Sequence, residues 1–275
     1  MFIFRVFIYL LICLTFLFSK VPYPDNEFIY KYVNGIPLHL YVFKPDDFSI
    51  GTKKSPAIIC YHGGGWVKGK PRQFFRFSKA LAQKGMMAIS VEYRTKRKFD
   101  STPAEALEDA KSAMRWVKSH VDLLHINPNK IVACGGSAGG QLAAALIYSK
   151  GFNDSRDDLN ISTYPNALIL LNPVLDNGPS GYGYERVEGY WRDFSPMYNI
   201  NNKMVPALIL VGDRDKLVPV STMKRFKSYC EKKGVYCNLV VIHGAKHGFF
   251  NKRKYRKETL EYMEDFLRKL GYIPK

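Results

Sequence analysis

Short apolar runs alternate with longer segments of helical periodicity along most of the chain. Strands are predicted where apolar and partly β-branched residues stand together between turn-forming residues. They lie at 28–33, 38–43, 56–61, 86–92, 130–134, 167–171, 205–211 and 237–242. Helices are predicted at 73–84, 103–119, 138–148, 220–232 and 256–269. Because strands and helices alternate, we expect an α/β fold, with a mostly parallel twisted sheet covered by helices on both faces.

The N-terminus has a different composition. An apolar run without a charged residue extends over 13 residues, from Val6 to Phe18. A membrane-spanning helix needs about 20 such residues, whereas the apolar core of a secretory signal has about 7–15. We therefore expect 1–20 to be a signal peptide, 21–275 to form one domain, and the protein to be secreted or periplasmic. An uncleaved N-terminal membrane anchor is the alternative.

The composition gives the chain a strong positive charge. The chain has 275 residues, 47% of them hydrophobic and 24% charged, as in an ordinary globular domain. Its net charge of +17 indicates either the solvated surface of a basic protein or attraction to an anionic polymer such as acidic polysaccharide. Nucleic acid is not an expected partner, because no recognition motif accompanies the charge. The oligomeric state is not predicted.

The cysteines leave one pairing open. Cys60 and Cys134 lie late in predicted strands and are expected to be small core residues. Cys230 and Cys237 bracket a turn from helix to strand. They could form a disulfide in an exported protein or remain free thiols.

A serine stands on a predicted sharp turn between a strand and a helix. The segment 135–139 reads Gly-Gly-Ser-Ala-Gly and joins the fifth strand to the helix 138–148. This spacing is typical of a nucleophile elbow, in which glycines admit a strained turn and the serine hydroxyl stands clear of the sheet. Ser137 is therefore the candidate nucleophile.

A run of three glycines follows the third predicted strand. The segment is His62-Gly-Gly-Gly-Trp66. Because glycines have no side chain, their backbone N–H groups can point toward one place, as an oxyanion hole requires. The N–H groups of Gly64 and Gly65 are the candidate donors, together with the N–H of Ala138 directly after the serine. His62 itself is expected to support this loop by hydrogen bonding.

Two carboxylates and two histidines follow the last two strands. Asp213 and Asp215 come after the seventh strand, and His243 and His247 after the eighth. A histidine beside the serine can take the hydroxyl proton, and a buried carboxylate fixes the tautomer of that histidine. Parallel strands place these residues at one edge of the sheet. The spacing alone does not choose within either pair.

Five motifs together resemble the α/β-hydrolase superfamily, in particular the hormone-sensitive-lipase-like esterases. The resemblance is closest to bacterial secreted acetyl-xylan or feruloyl esterases and covers roughly residues 25 to 272. The motifs are HGGGW at 62–66, EYR at 92–94, GGSAGG at 135–140, GDRDKLVP at 212–219 and HGFF at 247–250.

The resemblance implies a hydrolase with a Ser-His-Asp triad made of Ser137, His247 and Asp215. The family pattern G-x-x-D-x-x-V-P selects Asp215 rather than Asp213, and the motif HGFF favours His247 over His243. It implies no cofactor, and no pair of histidines has the spacing of metal ligands.

The resemblance also identifies 176–202 as a short cap. This segment lacks a clear period and holds aromatic residues among glycines and prolines, namely Tyr182, Tyr184, Tyr190, Trp191, Phe194 and Tyr198. Long loops in compact domains are usually functional. One departure from the family is Gln141, where many relatives have His.

Three classes of function compete at this point. The first is hydrolysis of a carboxylic ester, with removal of a short acyl group such as acetyl, or of an aryl-acyl group, from a carbohydrate. The second is a serine peptidase of the prolyl-oligopeptidase type, which usually carries a large extra domain before the first strand. The third is a non-catalytic binding protein, a class that typically loses the serine or the histidine. The first is favoured.

Overall fold

The computed structural model describes residues 21–46 and 54–275. Eight strands in this part of the chain form one twisted sheet. The predicted signal peptide lies outside the described residues. The strands are β1 (Asn26–Val33), β2 (Ile36–Phe43), β3 (Ser55–Tyr61), β4 (Met87–Val91), β5 (Ile126–Gly136), β6 (Ala167–Leu171), β7 (Ala207–Gly212) and β8 (Cys237–Ile242).

The strand order is β1-β2-β4-β3-β5-β6-β7-β8. β2 runs antiparallel to both β1 and β4, and all other neighbours are parallel. A hairpin followed by a parallel sheet confirms the predicted fold class. The carboxyl ends of β3, β5, β6, β7 and β8 therefore meet at one edge of the sheet.

Seven α-helices are found in the described part of the chain. They are α1 (Phe75–Ala82), α2 (Lys96–Phe99), α3 (Pro103–Ser119), α4 (Ala138–Tyr148), α5 (Trp191–Phe194), α6 (Val220–Lys232) and α7 (Arg253–Lys269). Short 3-10 turns occupy Pro71–Gln73, Tyr184–Arg186, Pro196–Tyr198 and Phe249–Asn251. None of the helices within 21–46 and 54–275 has the length and apolar character needed to span a bilayer.

Two apolar layers hold the helices on the sheet. Successive side chains of a strand point to opposite faces. Along β3, Ile59 therefore packs with the cluster that includes α3 and α4, while Ile58 packs with the cluster that includes α1 and α7. Both faces of the central strands are buried, which explains why their sequences are continuous apolar runs.

Helix α3 has the bounds that the sequence predicts, because its start is encoded locally. The Thr102 side chain accepts a hydrogen bond from the Glu105 N–H, and the Glu105 carboxylate accepts one from the Thr102 N–H. This reciprocal pair is a capping box, and Pro103 occupies the first turn. The predicted helix 73–84 is less accurate, since it divides into a 3-10 turn and the shorter α1.

The cysteines of the described residues are buried free thiols, namely Cys60, Cys134, Cys230 and Cys237. Cys60 and Cys134 are register partners on the neighbouring strands β3 and β5. Of the two outcomes left open for Cys230 and Cys237, the structure shows the free thiols.

A buried ion-pair network fixes the segment that follows β4. The Arg94 guanidinium contacts both carboxylate oxygens of Asp109 on α3, at 2.8 and 2.9 Å. Asp109 also pairs with Lys31 of β1 at 2.7 Å, and the Asp109 side chain is fully buried. A buried charge is tolerated only when it is paired in this way. The network therefore joins β1, α3 and the segment after β4.

Candidate active site

Ser137 lies on a strained turn between β5 and α4. Its backbone has φ 56° and ψ −120°, an unfavourable conformation for a residue with a side chain. A Cβ at Gly135 would lie 2.0 Å from the Gly139 carbonyl oxygen, and one at Gly139 would lie 2.1 Å from that of Tyr61. Glycine is therefore required two residues before and two residues after the serine.

Hydrogen bonds join three of the predicted residues in a chain. Ser137 Oγ lies 2.8 Å from His247 Nε2, and His247 Nδ1 lies 2.7 Å from Asp215 Oδ2. An ionised carboxylate can only accept, so Nδ1 carries the imidazole proton and Nε2 is left to accept the serine hydroxyl. The other oxygen of Asp215 accepts the N–H groups of Leu217 and Val218, at 2.9 and 3.1 Å.

Asp213 and His243 form a second acid–histidine pair at the surface. His243 Nδ1 lies 2.8 Å from Asp213 Oδ2, and the His243 side chain is 92% exposed. The Asp215 side chain, by contrast, is fully buried beneath His247. The alternatives left open by spacing thus fall into two separate pairs, and it is the Asp215–His247 pair that meets Ser137.

Asn172 is a residue of the site that the sequence analysis did not identify. It directly follows β6 and is fully buried. Its Oδ1 accepts the Gly248 N–H at 3.2 Å, and its Nδ2 lies 3.5 Å from His247 Nε2. Asn172 therefore holds the histidine loop against the end of the sheet. In the sequence, only its position directly after a predicted strand marks it as a candidate site residue.

Phe250 explains part of the HGFF motif. Its ring fills the space in front of Gly136, where a Cβ would lie 2.3 Å from Phe250 Cζ. The histidine loop and the elbow therefore pack directly on each other. This contact depends on the elbow glycine and helps to fix the distance between Ser137 and His247.

The triple-glycine loop packs against the elbow. A Cβ at Gly63 would lie 3.3 Å from Ser137 Cβ, and the Gly63 N–H donates to Gln73 Oε1 at 2.7 Å. Among the described residues, the N–H groups of Gly64 and Gly65 donate no hydrogen bond to the protein. The Ala138 N–H begins α4 and has no intrahelical acceptor. Each of the three predicted donors therefore has a backbone hydrogen without an acceptor among the described residues.

His62 and Tyr93 pack against each other and support the triple-glycine loop. The His62 ring is buried and stacks on Tyr93, with centroids 4.0 Å apart, and the Tyr93 hydroxyl donates to the His62 carbonyl oxygen at 2.6 Å. Burial lowers the pKa of His62 to about 4, so the ring is neutral at physiological pH. The supporting role expected for His62 agrees with these contacts.

The segment predicted to be a cap, 176–202, is anchored to the triple-glycine loop and to α4. Arg186 Nη1 donates to the Gly65 carbonyl oxygen at 3.0 Å. The Phe194 carbonyl oxygen accepts from Gln141 Nε2 and Ser149 Oγ, at 3.0 and 2.9 Å. Phe194 also packs edge-on against Trp66, with ring centroids 5.6 Å apart. The glutamine that departs from the family pattern therefore ties the cap to the elbow helix.

A cavity of about 490 Å³ lies between the cap and the loop that carries the acid. Its lining includes Tyr182, Tyr198, Leu217 and Met223, together with the ion pair of Asp176 and Arg225. Aromatic side chains and a few polar groups are typical of a small-molecule site. No group of three or more metal-ligating side chains is found within 21–46 and 54–275.

Solved structures of one bacterial esterase resemble the whole described chain. The esterase from Thermogutta terrifontis with propionate bound has a TM-score of 0.86 and 36% identity, and the match covers 94% of this chain and 98% of that one. Its butyrate-bound form matches equally well, with a TM-score of 0.86 and 36% identity over 93% of this chain and 98% of that one. The BD-FAE family model matches residues 43–179, and the prolyl oligopeptidase family model matches residues 173–271.

The chain belongs to the hormone-sensitive-lipase-like esterases of the α/β-hydrolase superfamily. Curated relatives agree with this assignment. A probable carboxylic ester hydrolase of Mycobacterium tuberculosis, LipM, is 28% identical over 68% of this chain and 47% of its own length. An acetylxylan esterase of Xylanibacter ruminicola is 26% identical over 70% of this chain and 41% of its own length. The chain thus spans about half the length of the curated relatives that it matches.

Proposed function

We propose that this esterase hydrolyses carboxylic esters with Ser137 as nucleophile, His247 as general base and Asp215 as the acid that orients it. The single observation that carries the proposal is the continuous chain of hydrogen bonds from Ser137 to Asp215. The triple-glycine loop packs beside Ser137 at Gly63, and the N–H groups of Gly64 and Gly65 have no acceptor among the described residues. Nucleophile, base and oxyanion donors are the three components that acyl transfer requires.

The geometry supports the following sequence of steps. As Ser137 Oγ attacks the ester carbonyl carbon, His247 Nε2 takes the hydroxyl proton and Asp215 stabilises the imidazolium. The carbonyl oxygen becomes an oxyanion held by the N–H groups of Gly64, Gly65 and Ala138. Collapse of the intermediate expels the alcohol, which receives the proton from His247. The acyl group is now bonded to Ser137 Oγ. Water attacks its carbonyl carbon as His247 Nε2 takes a proton from the water, and collapse then breaks the bond to Oγ, returns that proton to the serine and releases the carboxylic acid.

The acyl group is proposed to be short. Support comes from the solved esterase structures that hold propionate and butyrate, and from the acetylxylan esterase among the relatives. The cap is a compact segment anchored at both Gly65 and α4. Its tyrosines suit a sugar face or an aryl-acyl group, since an aromatic side chain offers both an apolar face and a polar tip. An acylated carbohydrate is therefore the proposed substrate class.

We expect chromogenic esters of two to four carbons to be hydrolysed faster than the octanoyl ester. The expectation rests on the propionate and butyrate bound by the similar solved esterase, and on the shortness of the predicted cap, which is anchored to Gly65 and to α4. The measurement is kcat/KM across acetyl, butyryl, octanoyl and feruloyl esters, with acetylated xylan as the polymeric substrate. A maximum of kcat/KM at the octanoyl ester would contradict a short acyl group. Activity on simple esters without release of acetate from xylan would contradict an acylated carbohydrate as the substrate.

Arg186 is proposed to hold Gly65 in place within the triple-glycine loop through the hydrogen bond to its carbonyl oxygen. Because a hydrogen bond from a charged donor is worth about 1.5–3 kcal/mol, Arg186→Ala is expected to lower kcat by about tenfold or more with little change in KM. Arg192→Ala removes an exposed cap arginine that stacks on Trp191 and serves as the matched control. Equal losses in the two variants, or a loss confined to KM, would contradict this role.

A peptidase activity is not favoured. The prolyl oligopeptidase model matches residues 173–271, the part of the chain that carries the acid and the histidine. Both enzyme classes share this part of the fold. The whole-chain structural matches are named esterases instead.

We also propose that the esterase is exported with cleavage near Lys20. The proposal rests on the apolar run from Val6 to Phe18, which suits a secretory signal. N-terminal sequencing of the protein from its native host should find a first residue near Val21. Intact Met1 in a membrane fraction would contradict cleavage and favour the anchor.

A further inference from the structure

A second and larger cavity adjoins the oxyanion loop. Its volume is about 880 Å³, within the range of small-molecule sites. His62, Tyr93 and Phe75 form its largely buried floor. The loop 68–72 and the segment 95–98 supply its polar walls. We call it the basic cavity, and neither Ser137 nor His247 lines it.

The charge around this cavity is almost entirely positive. Five cationic side chains line it, namely Lys68, Lys70, Arg72, Arg97 and Lys98. Among the described residues, Glu92 is the one carboxylate in the lining, and it already pairs with Lys98 at 2.6 Å and with His39 at 3.0 Å. The other four cations have no carboxylate partner among the described residues. Several like charges around one concave surface repel each other, and a bound anion would relieve that repulsion.

Backbone hydrogen bonds hold the cationic segments in place. The Lys68 N–H donates to the Gly64 carbonyl oxygen at 3.1 Å. The Arg97 N–H donates to the Val67 carbonyl oxygen at 2.9 Å, which ties the two walls together. At Gly69 the backbone has φ +131°, and a Cβ there would lie 2.3 Å from His62 Nδ1. Glycine therefore lets the loop close directly onto the floor.

The floor strengthens the attraction for an anion. His62 stays neutral because burial lowers the pKa of its ring, and Tyr93 and Phe75 present little polar surface to the cavity. Charges beside a floor of low polarity interact more strongly than charges in water. Arginine adds a planar fork of donors that matches phosphate and carboxylate oxygens.

We propose that the basic cavity binds a small ligand that carries two or more negative charges on phosphate or carboxylate groups. The two arginines, Arg72 of the loop 68–72 and Arg97 of the segment 95–98, are assigned the direct contacts. The ligand is soluble and separate from the ester under hydrolysis, so the site is additional to the proposed catalytic one. This inference does not depend on the proposed esterase activity.

Calorimetric titration of the purified protein at fixed ionic strength tests the proposal. Inorganic pyrophosphate and digalacturonate are the two probes, and at least one is expected to bind saturably with one site per chain. The double variant Arg72→Ala/Arg97→Ala should weaken that binding by about tenfold or more, which corresponds to a loss of about 1.4 kcal/mol or more in binding free energy. A preference for one probe identifies the group as phosphate or uronate.

The matched control removes two charges elsewhere. Lys252 and Arg253 are exposed at the start of α7 and outside the cavity lining. Lys252→Ala/Arg253→Ala should leave the dissociation constant within about twofold, as expected for surface substitutions. Equal weakening in both double variants would show a general charge effect and overturn the site, as would the absence of saturable binding to either probe. Melting temperatures of both variants establish that they are folded.

Discussion

Replacement of Ser137 by alanine is expected to remove nearly all ester hydrolysis and to leave the fold intact. The expected loss in kcat is on the order of 10⁴–10⁶, because the members of a catalytic triad act as a unit. Alanine keeps the Cβ that the strained backbone already accommodates at φ 56°, so the elbow need not rearrange. The measurement is kcat on a short chromogenic ester, together with the melting temperature.

The control for this variant is the serine that follows α4. Ser149→Ala removes a buried hydroxyl that bonds the Phe194 carbonyl oxygen, so it perturbs the cap without removing a nucleophile. A modest change in kcat is expected there. Retention of a tenth of the activity by Ser137→Ala would show that another group attacks the ester.

Substitution of the proposed acid and base should lower kcat far more than substitution of the surface pair Asp213–His243. His247→Ala is expected to cost on the order of 10⁶ in kcat, and Asp215→Asn about 10⁴, because asparagine does not hold the imidazole in the required tautomer. The corresponding changes at Asp213 and His243 should stay within about twofold, as is usual at exposed positions.

The chain itself offers the matched controls for this comparison. The Asp213–His243 pair has nearly the same nitrogen-to-oxygen distance as the Asp215–His247 pair, 2.8 Å against 2.7 Å. What differs is burial and the contact with Ser137. All four variants are measured on one ester. A larger loss in Asp213→Asn than in Asp215→Asn would reverse the assignment of the carboxylates.

The parts of the molecule that the sequence predicts well are those with local causes. Thr102 and Glu105 encode the start of α3 within four positions, and the glycines around Ser137 encode the elbow. Asp215 and His247 could be predicted because each follows a strand, and parallel strands bring their carboxyl ends to one edge. Spacing alone left two carboxylates as candidates for the acid and two histidines as candidates for the base. The family pattern favoured the pair that the structure places beside Ser137.

The parts that the sequence did not predict depend on contacts between distant residues. Arg186 reaches the Gly65 carbonyl oxygen across 121 positions, and no local pattern marks such a contact. Asn172 is a single polar residue after a strand, and its role follows from where the histidine loop lies. Helices as short as α2 and α5, with four residues each, do not complete enough turns to show a helical period.

Ser137 is proposed to be the nucleophile that His247 activates. The most direct measurement is covalent trapping with a fluorophosphonate probe, which reacts with an activated serine, followed by mass spectrometry of the digested protein. We predict a single adduct on the peptide that contains Ser137, and its loss in His247→Ala while that variant remains folded. An adduct on any other residue, or undiminished labelling of Ser137 without His247, would contradict the account.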